Sequence, residues 1–355
     1  MTEPGFSAGG GELRTSKLFA AVHERVSRSS LTTIEGTRRP PWSPPRLAAV
    51  ARGTPPRLTQ LCGGHTIQKV NDVVAGAGMT VVSTTFTAAL VDREKLGSVV
   101  LDAHNLEWRV NQQLARSSDG IIRKSAYGIT TDWVKRFESN LARSVAGVWA
   151  VSSLEAEWFA SMGAATWVVR NGVDLPASAP PPSGTHDILF VGSLNSRFNR
   201  QGIEWFCRSV LPLVRAEIKD ARLDIVGSGP LIEPVQGAVQ HGFAEDLSPF
   251  YAKARVCIAP LLAGAGTRLK VPEAMANACP VVSTAIGAEG LDLSFSDGVS
   301  IADNAVDFAR ACIGILADDE EAAVRGAKAR AKAIEFSWDR IAAVAAQSLR
   351  ELGVT

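Results

Sequence analysis

The residues best suited to chemistry stand together in one stretch, Pro260-Leu-Leu-Ala-Gly-Ala-Gly-Thr-Arg-Leu-Lys-Val-Pro-Glu-Ala-Met-Ala276. Gly264 and Gly266 carry no Cβ, so the backbone there can approach a ligand closely. Thr267 is of a type that caps a following helix. Arg268 and Lys270 add two cations where the amides of a helix start also point. Cations and free amides at a helix N-terminus suit a diphosphate. Glu273, three residues beyond Lys270, shares its helix face and can accept hydrogen bonds from sugar hydroxyls. The same residues also read as an exposed helix start with an internal Lys–Glu pair, and the stretch alone does not decide between the two. Pro272 either stands in the first turn of that helix or kinks it. Both cations are expected to face solvent before a ligand arrives.

Such side chains work only if a scaffold holds them. Short, nearly continuous apolar runs recur at 79–82, 98–101, 147–151, 166–169, 187–191, 222–226, 255–259 and 280–283. Strands buried on both faces of a parallel sheet read this way. Between them, Trp133, Val134, Phe137, Leu141 and Val145 recur at the spacing of a helix with one buried stripe. Ile203, Phe206, Val210, Val214 and Ile218 do the same. Strands alternating with helices predict an α/β fold with parallel sheets. In such sheets ligands bind beyond the carboxyl ends of the strands. Gly192, Gly227 and Gly229 follow two of the runs, although each alone is more simply a turn. Four prolines between 176 and 183 can neither continue a helix nor pair inside a sheet. Residues 176–185 are therefore read as a linker between a lobe of residues 1–175 and one of 186–337. Apolar positions 338, 341, 344, 345, 349 and 352 predict a terminal helix within 338–355, packing back toward the first lobe.

The 355 residues suffice for two domains. They carry 37 basic and 36 acidic side chains, a balance that argues against a general nucleic-acid binder. No apolar run approaches the ~20 residues of a membrane span. The Gly-rich start, with Glu3, does not read as a secretory signal. Five cysteines without a CxxC pair predict reduced thiols and a cytoplasmic location. Scattered histidines, and no Asp-x-Asp behind a strand, predict no metal site and no cofactor. The charge is uneven: residues 1–174 carry 20 basic and 15 acidic side chains, the remainder 17 and 21. With the Pro-rich basic stretch 38–57, this surplus is either local scatter or a lobe that leans on anionic lipid at the inner face of the cell membrane. In the second case each charge contributes about 1 kcal/mol.

Further segments stand in order along the second half: Ile188-Leu-Phe-Val-Gly-Ser-Leu194, Asp224-Ile-Val-Gly-Ser-Gly-Pro230, the stretch from Gly264 to Ala276, and Pro280-Val-Val-Ser-Thr-Ala-Ile-Gly-Ala-Glu-Gly-Leu291. Together they closely resemble the C-terminal donor-binding domain of GT-B glycosyltransferases of the "group 1" type (family 4, retaining). Val100-Leu-Asp-Ala-His-Asn-Leu-Glu107, Trp149-Ala-Val-Ser152 and Asn171-Gly-Val-Asp174 resemble the N-terminal domain of the same enzymes. The resemblance is strong over residues 95–350 and loose over 5–95. It implies two facing Rossmann-like lobes, with a nucleotide-sugar donor held mainly by the second and a glycan or lipid-linked acceptor by the first. Arg268 and Lys270, with amides around Gly266 and Thr267, would neutralise the donor diphosphate and serve catalysis. Glu273 would contact the nucleotide ribose, and Gly192 and Gly264 would line the phosphates. His104 would lie near the transferred sugar as a catalytic residue. Gly10 and Gly11 would form the family's Gly-rich N-lobe loop, grouped with Asp102. Preorganised cations and amides would stabilise the leaving diphosphate without a metal. The implied function is retaining transfer of a sugar to a polysaccharide or glycoconjugate acceptor.

Departures from the family pattern matter. Ala265 stands where many members carry the first Glu of a paired-Glu motif, so the donor sugar is not legible. The loop 192–200 lacks the usual Arg and Lys-Gly clamp, and Arg197 and Arg200 are the candidates to replace it. Nothing strand-like precedes Gly9-Gly10-Gly11, because residues 1–8 hold Pro4 and Gly5 and show no alternation. The first lobe is therefore expected to lack its first strand, or the sequence to start late. Two alternatives stay open: a catalytically silent GT-B subunit that binds a partner enzyme, and a nucleotide-sugar 2-epimerase.

Overall fold

A computed structural model describes residues 10–26, 29–34, 39–117, 121–178, 184–230, 232–264 and 268–354. They form two compact units. One comprises residues up to Asn171 together with those from Trp338 onward; the other comprises Gly172–Gly264 and Arg268–Ser337.

In the first unit, β1 (Thr80–Ser83), β2 (Val99–Ala103), β3 (Gly147–Ala150) and β4 (Thr166–Val168) form a parallel sheet in that order. Every residue of β2 and β3 is buried, which is why both read as continuous apolar runs. Their side chains alternate between two covered faces. Val99, Leu101, Val148 and Ala150 join Val74, Leu141 and Phe159 on one face. Val100 and Trp149 turn to the other. There Leu18 and Val22 of the helix Gly10–His23 pack with Ile341, Ala345 and Leu349 of the helix Trp338–Glu351. Trp149 Nε1 donates to Ser348 Oγ at 2.7 Å inside this layer.

Gly10 and Gly11 belong to the first turn of that opening helix, not to a loop. The helix-forming run behind them carries the ladder back through both glycines, against a penalty of about 1 kcal/mol for each. No strand precedes Thr80 among the described residues, which exclude residues 1–9.

The second unit holds β5 (Asp187–Val191), β6 (Arg222–Val226), β7 (Ala238–Gly242), β8 (Val256–Ala259), β9 (Val281–Ser283) and β10 (Val299–Ile301). All are parallel, in the order β10-β9-β8-β5-β6-β7. The chain starts at the centre, winds outward through β6 and β7, then returns to wind the other way. β5 pairs with both β6 and β8, so the topological switch point lies between β5 and β8. The stripe over 203–218 is not one helix. Arg197–Trp205 passes through a wider turn at Phe206–Val210 into Leu211–Glu217. Pro212 lacks an N–H, and its ring crowds the carbonyl four residues back, so the ladder loosens there. Residues 179–183 of the Pro-rich segment lie outside the described residues. Among the described residues no helix is long and apolar enough to cross a membrane.

Candidate functional site

In a doubly wound sheet the crevice beyond the carboxyl ends at the switch point is where ligands bind. The loops leaving β5 and β6 meet there backbone to backbone. Leu194 N donates to Ser228 O at 2.6 Å, and Gly192 N to Val226 O at 2.9 Å. Gly227 has φ +150°, and a Cβ on it would fall 2.2 Å from Gly192 O. Gly227 is therefore an obligatory close approach as well as a turn.

Lys270 opens the helix Lys270–Ala276 and reaches back to this loop. Its Nζ donates to Asn199 Oδ1 at 2.6 Å, while Asn199 Nδ2 donates to Ser193 O at 2.9 Å. The ammonium also lies 4.7 Å from the centre of the Phe190 ring. A Cβ on Gly192 would stand 3.0 Å from Asn199 Nδ2 and 3.3 Å from Lys270 Nζ. Gly192, Asn199 and Lys270 thus form one cluster. Arg268 Nη2 donates to Gly264 O at 2.8 Å and lies 3.7 Å from Glu289 Oε2. Gly264 has φ +138°, a conformation suited to glycine.

Neither cation faces solvent as the sequence led us to expect. Arg268 is buried and Lys270 is half-buried against Phe190 and Asn199. Burial, reinforced by Arg268, pulls the Lys270 ammonium down to about 7 despite Glu273. Burial raises Glu273 to about 7, with Lys270 opposing and Asp174 adding to the rise. The N-cap of this helix falls on Leu269. The helix begins two residues before Pro272, which therefore sits in its first turn. Ala265, Gly266 and Thr267 lie outside the described residues. Arg197 and Arg200 stand on the helix Arg197–Trp205, where Arg200 lies 4.0 Å from Glu204. Asn199 between them is the side chain that meets Lys270.

The first unit gathers a second cluster at the carboxyl ends of β1 and β2, where Ser83 and Asp102 lie in register. His104 Nε2 is 3.0 Å from Asp102 Oδ2 and 3.0 Å from Ser83 Oγ. Arg14, 1% exposed, forks onto Asp102: Nη2 is 2.5 Å from Oδ1, and Nε is 3.0 and 3.1 Å from the two oxygens. Burial alone would raise the Asp102 carboxyl, but Arg14 and His104 outweigh it and hold it down to about 2. Just beyond, the buried Glu138 accepts from Glu107 N at 3.0 Å, Trp108 N at 2.9 Å and Thr85 Oγ1 at 3.3 Å. It thereby caps the helix Glu107–Ser117 that follows His104. Burial lifts Glu138 to about 8 against those bonds.

Sequence reasoning missed Asn199, Arg14, Ser83 and Glu138. Only Arg14 carried a local signal. It shares the stripe of Leu18, Ala21 and Val22, so a cation there had to find a buried partner.

Residues 185–318 match the family described as glycosyl transferases group 1. An uncharacterized 44.6 kDa protein in the cps region of Klebsiella pneumoniae is 35% identical over 137 residues, covering 35% of this chain and 35% of that protein. The chain therefore matches about a third of the length of that relative. Sucrose-phosphate synthase from Thermosynechococcus elongatus superposes with a TM-score of 0.69 at 19% identity, covering 98% of this chain and 94% of that one. HepE from Anabaena, solved with UDP and glucose, gives 0.66 at 16% identity over 98% of both chains. TarM from S. aureus, solved with UDP among its ligands, gives 0.57 at 16% identity over 72% of this chain and 51% of that one. Residues 185–318 are thus a group 1 glycosyltransferase domain, and the chain has the Rossmann-like two-lobe fold of GT-B glycosyltransferases.

Proposed function

We propose that this protein is a retaining glycosyltransferase that moves a sugar from a nucleoside-diphosphate donor to a polysaccharide or glycoconjugate acceptor, lipid-linked glycans included. The observation that carries the reading is Lys270 beside Gly192 at the switch point of the second sheet. In transfer, the bond from the anomeric carbon to the β-phosphate oxygen breaks and charge accumulates on the diphosphate. Lys270 and Arg268 would stabilise that charge, so transfer is expected to need no metal. Glu273, on the same helix, would accept from ribose hydroxyls. The UDP in HepE and TarM supports a nucleoside diphosphate as the leaving group. The test is turnover of UDP-, GDP-, ADP- and dTDP-sugars with and without a chelator. Transfer that survives chelation supports the reading. Binding without turnover on any glycan acceptor would favour a silent subunit.

Peripheral contact with an anionic membrane, at its cytoplasmic face, belongs to the same proposal. Trp42 is 75% exposed and Leu47 54%, and exposed Arg39 and Arg52 stand three residues before Trp42 and five after Leu47 in sequence. An exposed indole beside cations suits the polar–apolar boundary of a bilayer. Sedimentation with phosphatidylserine vesicles at low salt, lost at high salt, is the expected result. Indifference to such vesicles at low salt removes this part of the proposal.

A further inference from the structure

Cys257 and Cys279 meet inside the second unit. Cys257 lies in β8, where its N donates to Pro280 O at 2.9 Å and its register partner is Val281. Cys279 stands two residues before Val281, so both side chains leave the same face of the sheet. There the two sulfurs lie 3.1 Å apart, buried with Tyr251, Ala274 and Met275. Both are free thiols. A disulfide is about 2.05 Å long, so roughly 1 Å of approach separates the pair from a bond. Cys62, Cys207 and Cys312 belong to other core clusters.

The approach must come from Cys279, because β8 is held between β5 and β9. Cys279 hangs from the helix Lys270–Ala276: its N donates to Ala274 O at 3.0 Å, and Ala278 N to Met275 O at 2.9 Å. Asn277 Nδ2 adds a bond to Glu273 O at 2.9 Å. The turn has no slack. Ala278 has φ +54°, a left-handed conformation that costs alanine about 1–2 kcal/mol. Behind it, a Cβ on Gly326 would fall 2.3 Å from Ala278 O. A pull on Cys279 therefore passes into the helix whose other end holds Lys270 against Asn199. The bond would also close a ring from 257 to 279 that contains Gly264, Arg268, Lys270 and Glu273.

We infer that hydrogen peroxide joins Cys257 and Cys279 in a reversible disulfide, and that the oxidised protein binds nucleoside diphosphate more weakly. The second half rests on the glycosyltransferase reading above. One thiolate attacks a peroxide oxygen; the S–O bond forms, the O–O bond breaks, and the departing hydroxide takes a proton and leaves as water. The other sulfur then attacks the sulfenic sulfur; the S–S bond forms, the S–O bond breaks, and a second water leaves. Two thiols thus give up two electrons, and one peroxide becomes two waters. Burial and the neighbouring Cys279 push the Cys257 thiol up, so thiolate is scarce and the first step slow, while contact between the sulfurs favours the second.

The test treats the whole protein with hydrogen peroxide, alkylates the remaining thiols in urea and maps the peptides. Two of the five thiols should be lost together, in a linked pair of peptides carrying Cys257 and Cys279, and dithiothreitol should restore both. UDP affinity, read by titration calorimetry, should fall about three- to tenfold on oxidation and recover on reduction. Cys279→Ala under the same peroxide should keep its affinity, which separates the bond from oxidation elsewhere. Five free thiols after treatment overturn the inference, and need no variant to fold. So does a bond that leaves UDP affinity unchanged, or a loss of affinity that Cys279→Ala shares. If the reduced wild type binds no nucleoside diphosphate, the donor reading fails, while the peptide map still decides whether the disulfide forms.

Discussion

Replacing Lys270 with methionine should make the protein more stable and a worse binder of diphosphate. Lysine ordinarily holds its proton to near pH 10.5, and burial lowers Lys270 to about 7. The unfolded chain therefore binds more protons than the folded one between those values, and stability rises with pH across that window. Below pH 7 the penalty is present in full. At pH 7.5 a shift of that size amounts to about 4 kcal/mol against folding. Methionine removes this penalty with little change of volume, but it forfeits the bond to Asn199 and the contact with Phe190, together about 2 kcal/mol. The net expectation is a gain of about 2 kcal/mol at neutral pH, roughly 4–8 °C in the second unit's melting temperature. Calorimetry at pH 6.5, 7.5 and 9 reads it: the variant's advantage should shrink as pH rises, because the wild type sheds its penalty. In the same samples, UDP affinity should fall about ten- to a hundredfold, the worth of a charge-assisted bond. If Lys270→Met is less stable than wild type at every pH, the cation is not held at a penalty and the reasoning fails.

Other perturbations separate the parts of the site. Wild-type UDP affinity should decline above pH 7, by as much as tenfold per unit, because binding then requires Lys270 to regain a proton; titration calorimetry in two buffers of different ionisation heat would detect the uptake. Asn199→Ala should weaken UDP by about three- to tenfold through loss of the Lys270 acceptor, with a stability loss near 1 kcal/mol, read by the same titrations and melts. Gly227→Ala places a Cβ 2.2 Å from Gly192 O and should lower stability by about 1–3 kcal/mol, measured in urea. Glu138→Ala orphans two amides of the helix after His104 and should lower stability by about 1–3 kcal/mol for each left dry; hydrogen exchange at Glu107 and Trp108 would localise the loss.

What was legible in the sequence follows from where each force acts. β2, β3, β5 and β8 are covered on both faces, so burial wrote itself into consecutive positions. β7 is an edge strand with Val239 and His241 exposed, and β10 has only three residues, so neither left a run to read. Arg268, Lys270 and Glu273 stood out because helix geometry brings close neighbours in sequence together. Their partners did not, because tertiary folding supplies them. Lys270 meets Asn199 across 71 residues, Arg14 meets Asp102 across 88, and Glu138 meets Glu107 across 31. The exposure assigned to Arg268 and Lys270 failed for the same reason. Spacing places a side chain on a helix face but does not show what lies over that face.

The first unit is discontinuous in sequence, and this has a consequence for how it is made. Trp149 waits for Ser348, 199 residues later, and Val100, Trp149 and Val169 have only Leu18 and Val22 of the opening helix for cover until the helix Trp338–Glu351 arrives. At ribosomal rates of about 5–20 residues per second, that interval lasts about 10–40 s. Throughout it, one face of a parallel sheet is only partly covered while the second unit, wholly synthesised in between, can already close its own core. The nascent chain therefore carries its aggregation hazard in the half synthesised first, and loss of the final fourteen-residue helix Trp338–Glu351 should make that exposure permanent without unfolding the second unit.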